Sequence, residues 1–187
     1  SSDLYISPNR YLEMQLSPNS LAFVALGNEY CAAIENASQS DPQAFIAEMV
    51  RLLPRIYITA SDLKPAPSLD EEPPYIDSYL DEYHYESLRS AIEGMLGQDD
   101  VYLEVFEEDM KYSDTPIRAS ISEGLCDIFQ VLYNFVSSVR DAAESQINDA
   151  LIAVSEDFAS FWSQKVVNLM RPLNHIRYNS DEDDDMF

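Results

Sequence analysis

The sequence predicts an all-α protein: a single-domain bundle of about five to seven helices around one core. Three observations carry this. Apolar residues recur at three- and four-residue steps over residues 120–170, the spacing of an inward helical stripe. Two helix starts are written as a capping residue followed by proline. Runs of alternating apolar and polar residues, the mark of half-buried strands, are scarce.

The helices follow in order. Ser17-Pro18 and Asp41-Pro42 each put an N-cap residue before a proline at the first helical position, where the missing N–H costs nothing. They predict helices over 18–37 and 42–62. Pro54 lies inside the second, and its ring should kink or split that helix. Pro65, Pro67, Pro73 and Pro74 make residues 64–75 an extended, solvated connection on the outside of the bundle. A helix over 76–97 should follow, ending near Gly94 and Gly97. VYLEVF, from 101, reads as helix or coil, with a short strand as the alternative.

Ser120 and Glu123 form S-x-x-E, a capping box that opens a helix over 120–141. On that helix Leu125, Ile128, Phe129, Leu132, Phe135, Val136 and Val139 share one side. Glu123, Asp127, Gln130, Asn134 and Asp141 share the other, as expected of an amphipathic helix with a wet or interface-lining edge. The last helix, over 143–170, carries Ile147, Leu151, Val154, Phe158, Phe161, Trp162 and Leu169 on its inner stripe and should stop before Pro172. The domain is thus 18–177. Residues 1–17 form an N-terminal arm, and 178–187, with five consecutive acids, a disordered tail.

The 187 residues suffice for one sizeable core. Charge is the outlying property: 34 acidic against 11 basic residues give a net of -23. Such a surface repels nucleic acid and anionic membrane, so neither is an expected partner, and a basic protein is. Residues 65–114 concentrate the effect, with fifteen acids against Arg89 and Lys111 alone. Cys31 and Cys126 sit in apolar helical patterns as reduced thiols. Neither a secretory leader nor a membrane-spanning run is present in the sequence, which points to the cytoplasm.

Candidate sites are few. YIDSYLDEYHYE places Tyr75, Tyr79 and Tyr83 at i, i+4 and i+8, with Asp81, His84 and Glu86 among them, an acidic and aromatic face suited to a protein partner. Asp81 and His84 alone are too few for a metal site, and no metal is expected. Glu29, in an almost wholly apolar helix, should be half-buried and paired with Arg51, Arg55 or Lys165. Lys165 lies on the apolar side of its helix, its stem on the core and its ammonium lifted to water or paired with an acid. His175 is a helix-end histidine favoured by the dipole. Four glycines cannot build a phosphate or dinucleotide loop, and no nucleophile motif or cofactor signature occurs.

The blocks NEYC (28–31), LLPRIYITASDL (52–63), SEGLCDIFQVLYNF (122–135) and FWSQKVVNLMRPLNHI (161–176) resemble a bacterial family known only as a domain of unknown function, found chiefly in Bacteroides-type bacteria. The resemblance implies a small, acidic, all-helical cytoplasmic protein and transfers no site residue. Gly124, Cys126 and Ser163 depart from the family's pattern. Together these readings favour a non-enzymatic acidic interaction module. The alternatives are an enzyme or metal-dependent protein built on Glu29, Glu123 and Asp127, and a DNA mimic.

Overall fold

A computed structural model describes residues 16–104 and 115–179. The N-terminal arm before residue 16, the acidic tail from 180, and residues 105–114 lie outside the described residues. In chain order the elements are α1 (Pro18–Glu35), α2 (Pro42–Ser61), α3 (Glu82–Leu96), β1 (Val101–Glu104), β2 (Ile117–Ser120), α4 (Ile121–Val139), α5 (Glu144–Asp157) and α6 (Ser163–Asn179). A π turn, Phe158–Trp162, joins α5 to α6 in one rod, so the described residues form an all-α bundle of five helices. The only sheet among them is the antiparallel ribbon β1–β2, with Val101 opposite Ser120 and Glu104 opposite Ile117.

Helix α4 is the centre, packed by α1, α3, α5 and α6. All seven of its predicted apolar positions are buried. The α1 aromatic Phe23 lies 5.1 Å from Phe135 and 6.3 Å from Trp162, ring centre to ring centre, tying α1, α4 and the rod together. Each such aromatic contributes about 1.5–3 kcal/mol through burial alone. Tyr30 is wholly buried and donates to the Leu125 carbonyl at 2.6 Å, so the phenol enters the core with its hydroxyl satisfied. Gly124 lets α6 approach: a Cβ there would lie 2.8 Å from Leu169 Cδ2.

The cap signals hold: Ser17 and Asp41 accept the Ser20 and Ala44 N–H groups. At α4, Ser120 accepts the Glu123 N–H at 3.2 Å, but the return bond of the capping box does not form. Its place is taken by Asp100, which is buried and was not singled out from sequence. One oxygen accepts the Ser122 N–H at 2.7 Å, and the other the Ser122 and Ser120 hydroxyls at 2.8 and 2.9 Å. An anion at the positive end of the central helix is electrostatically favoured as well.

Several expectations are corrected. Pro54 does not split α2, because Leu52, Leu53 and Ile56 are buried around it. Their burial outweighs the roughly 3 kcal/mol that an interior proline costs. For the same reason α6 continues past Pro172, with Leu173 and Ile176 buried. Residues 76–81 are extended and α3 starts only at Glu82, since Asn134 of α4 takes the Tyr79 and Leu80 N–H groups at 2.8 and 3.0 Å before a helix can use them. Residues 101–104 are a strand, stabilised by pairing with a segment thirteen residues downstream that no local pattern reveals. Phe161 is 53% exposed, because the wide π turn rotates it off the inner stripe that Phe158 and Trp162 keep. The proline-rich segment does run outside, as a mostly exposed strap without regular structure, bent at 69–72. Asn148 holds it by both amide ends, accepting from Ala66 N at 3.0 Å and donating to Ala66 O at 2.8 Å.

Replacing Asp100 by Ala leaves the Ser122 N–H buried without a partner and should lower unfolding free energy by about 1–3 kcal/mol, read from the urea midpoint at unchanged slope.

Candidate functional site

Two regions collect polar and aromatic side chains. The first is the outer face formed by the end of the strap and the start of α3. Tyr75 (79% exposed), Tyr79 (49%) and Tyr83 (85%) stand there in water beside the exposed Asp77, Glu82 and Glu86. Only Tyr83 is helical, so the three rings do not share a helix face; Tyr75 and Tyr79 come from extended backbone. Asp81 is the N-cap of α3, accepting the His84 N–H at 2.7 Å. The His84 ring packs edge-on against Phe129 and Tyr133, at 5.8 and 5.6 Å, rather than beside that carboxylate. Among the described residues no group of three His, Cys, Asp or Glu side chains could hold a metal ion. Glu86 and Glu93 clamp Arg89 from either side along the helix, which holds the Glu86 carboxyl below and the Arg89 guanidinium above their ordinary ranges.

The second region is a groove of about 420 Å³ between the β-ribbon, the first turns of α4, and the π turn with α6. The wet edge of α4 faces it through Glu123 and Asp127; Ser160, Phe161, Gln164, Lys165 and Asn168 form the facing wall, and Tyr102 and Glu104 come from β1. Asp127 is the node. Its Oδ2 accepts Lys165 Nζ at 2.8 Å and its Oδ1 the Tyr85 hydroxyl at 2.7 Å, so one carboxylate joins α3, α4 and α6. Lys165 therefore does not simply reach for water; its ammonium also lies 5.1 Å from the Phe161 ring centre. Burial, then the Asp127 hydrogen bond, push the Tyr85 phenol well above its ordinary pKa, and burial does the same to Tyr30.

The remaining residues singled out from sequence sit apart. Glu29 is exposed rather than half-buried, because its side of α1 faces water, and it pairs with Arg55 at 3.5 Å. Arg51 is exposed on the same helix as Arg55, without an ion pair among the described residues. Glu123 and Asp127 line the groove together; Glu29 does not join them. His175 is exposed within the last turns of α6, its Nδ1 3.3 Å from the Asn179 amide. Both cysteines are free and buried, with thiols pushed up to about 12, Cys31 by burial and then Glu35, Cys126 by burial and then Asp127. Tyr85, which the sequence places in the band YIDSYLDEYHYE, and Glu104 take their place at the groove only through a distant partner or a strand.

The family described as Domain of unknown function (DUF5063) matches residues 14–179. The chain belongs to it. A solved structure, protein BF1032 from Bacteroides fragilis, a structural-genomics target, superposes with a TM-score of 0.73 at 29% identity, over 87% of this chain and 94% of that one. No curated protein matches. Within the DUF5063 chain, no helix of the described residues is long and apolar enough to cross a membrane.

Tyr85 and Tyr30 make an alkaline prediction. Their folded pKa values exceed the unfolded value of about 10, so the unfolded chain loses protons first and stability falls as pH rises above about 10. Tyr85→Phe should reduce that slope and cost about 1 kcal/mol at neutral pH, measured by denaturation at stepped pH.

Proposed function

We propose that this DUF5063 protein is a non-enzymatic cytoplasmic interaction module whose acidic, tyrosine-bearing face binds a basic segment of a partner protein. The carrying observation is the exposure of Tyr75, Tyr79 and Tyr83 on the stretch that also exposes Asp77, Glu82 and Glu86, where Arg89 is already paired with Glu86 and Glu93. Tyrosine is enriched where proteins meet: its ring gives contact area at low entropy cost and its hydroxyl keeps the free surface soluble. Carboxylates around the rings attract lysine and arginine and speed encounter. Strap and helix cap fix this face before binding, which lowers the ordering cost. The two buried thiols, held in their protonated form, support a reducing location.

The immobilised protein should retain from a native lysate a protein with a lysine- or arginine-rich segment, released as salt is raised. A variant carrying Tyr75→Ser, Tyr79→Ser and Tyr83→Ser should lose it while its thermal transition is unchanged, since all three side chains are exposed. Recovery of background alone by the unaltered protein rejects the reading. Retention undiminished in the triple variant moves the contact elsewhere.

A further inference from the structure

We infer that the strap, taken as residues 64–79, opens from α4 and α5 as one unit while the bundle stays folded, with Asn134 and Asn148 as its two latches. It runs between two buried residues, Leu63 and Leu80, and none of the sixteen side chains between them is buried; Ile76 packs partly against the core. Among the described residues its backbone makes no hydrogen bond to other backbone. Four of its residues are proline and bring no N–H at all. What ties it to the helices is a short set of side-chain bonds. Asn148 grips Ala66 through both ends of its amide, Ser68 donates to Asp149 at 3.3 Å, and Asn134 accepts the Tyr79 N–H.

Opening strands no polar group away from water. Asn148 and Asp149 are already partly exposed and pass to solvent, and the Asn134 oxygen keeps the Leu80 N–H at 3.0 Å when Tyr79 leaves. A segment with so little burial and so few bonds opens at far lower free energy than the core around α4. Prolines stiffen the chain on both sides of the bend at 69–72, so release at one latch loosens the other and the strap moves as a whole. The movement separates Tyr75, Asp77 and Tyr79 from Glu82, Tyr83 and Glu86, which stay on α3. Where the tyrosine face binds a partner, the latches then set the fraction of the protein that is ready to bind. That consequence rests on the reading proposed above, whereas the opening itself does not.

Amide hydrogen exchange of the full, partner-free chain, followed residue by residue by NMR, tests this. The Ala66 and Tyr79 N–H groups should exchange with matching opening constants, at least about a hundredfold larger than those of Phe129 and Leu132 in the middle of α4. Asn148→Ala removes both bonds to Ala66 and should raise the opening constant at Tyr79, on the other latch, about fivefold; Asn134→Ala should do the same at Ala66. Both asparagines lie at partly exposed positions, so the bundle tolerates their loss, and the comparison within the unaltered chain decides the matter should either variant not fold. Ala66 and Tyr79 amides that open only as rarely as those of Phe129 and Leu132 overturn the proposal, as does removal of one latch without change at the other. A lysate that yields no partner counts against the tyrosine face alone, because these constants are read on the free chain.

Discussion

Everything in this fold answers to one constraint: a central helix buried on most sides must still satisfy every polar group it carries inward. Helix α4 has an apolar stripe that α1, α5 and α6 cover, and its wet edge is left to water only in part, at Glu123 and Gln130. Asp127 is taken by Tyr85 and Lys165, Asn134 by the strap, and the first-turn donors by Asp100 and Ser120. Each partner comes from a different part of the chain. Satisfying the central helix therefore also fixes where α3, the strap, the ribbon and α6 must lie.

That arrangement explains why the surface features are ordered. The tyrosines at 75 and 79 sit on extended backbone, which by itself would sample many conformations. Asn134 and Asn148 hold the strap at two points, and the Asp81 cap sets where α3 begins. The groove has the same origin. Tyr85 and Lys165 draw α3 and α6 onto Asp127, while the ribbon is held at the α4 N-terminus through Asp100 and Ser120.

Much of this was legible from sequence, and what was not has physical causes. Cap-plus-proline pairs and three-to-four spacing are local signals, and they located α1, α2, α4 and the buried side of α4. The family resemblance through NEYC and the three later blocks agreed with the helical reading and with the match over residues 14–179. Long-range competition was invisible. Residues 76–81 have a helical pattern, yet the Asn134 amide outbids it; 101–104 becomes a strand only because 117–120 is beside it. Proline at 54 and 172 reads as a stop, but neighbouring leucines and isoleucines bury enough surface to carry the helix through. Glu29 looked trapped by its apolar neighbours because a one-dimensional window cannot show which side of α1 meets solvent. At the groove, Glu123 and Asp127 were recognised as one edge, whereas Tyr85 and Lys165, the partners of Asp127, and the neighbouring Glu104 converge only in three dimensions.

The π turn at Phe158–Trp162 acts as a phase shifter. An α-helix advances about 100° per residue, so the additional residue it accommodates resets the azimuth of all of α6 relative to α5. Excising one residue there would swing Lys165 away from Asp127 and carry Leu169 off Gly124, dismantling in a single step both a charge pairing and a close helix crossing. Length, and not composition alone, is thus under constraint in this stretch of the chain.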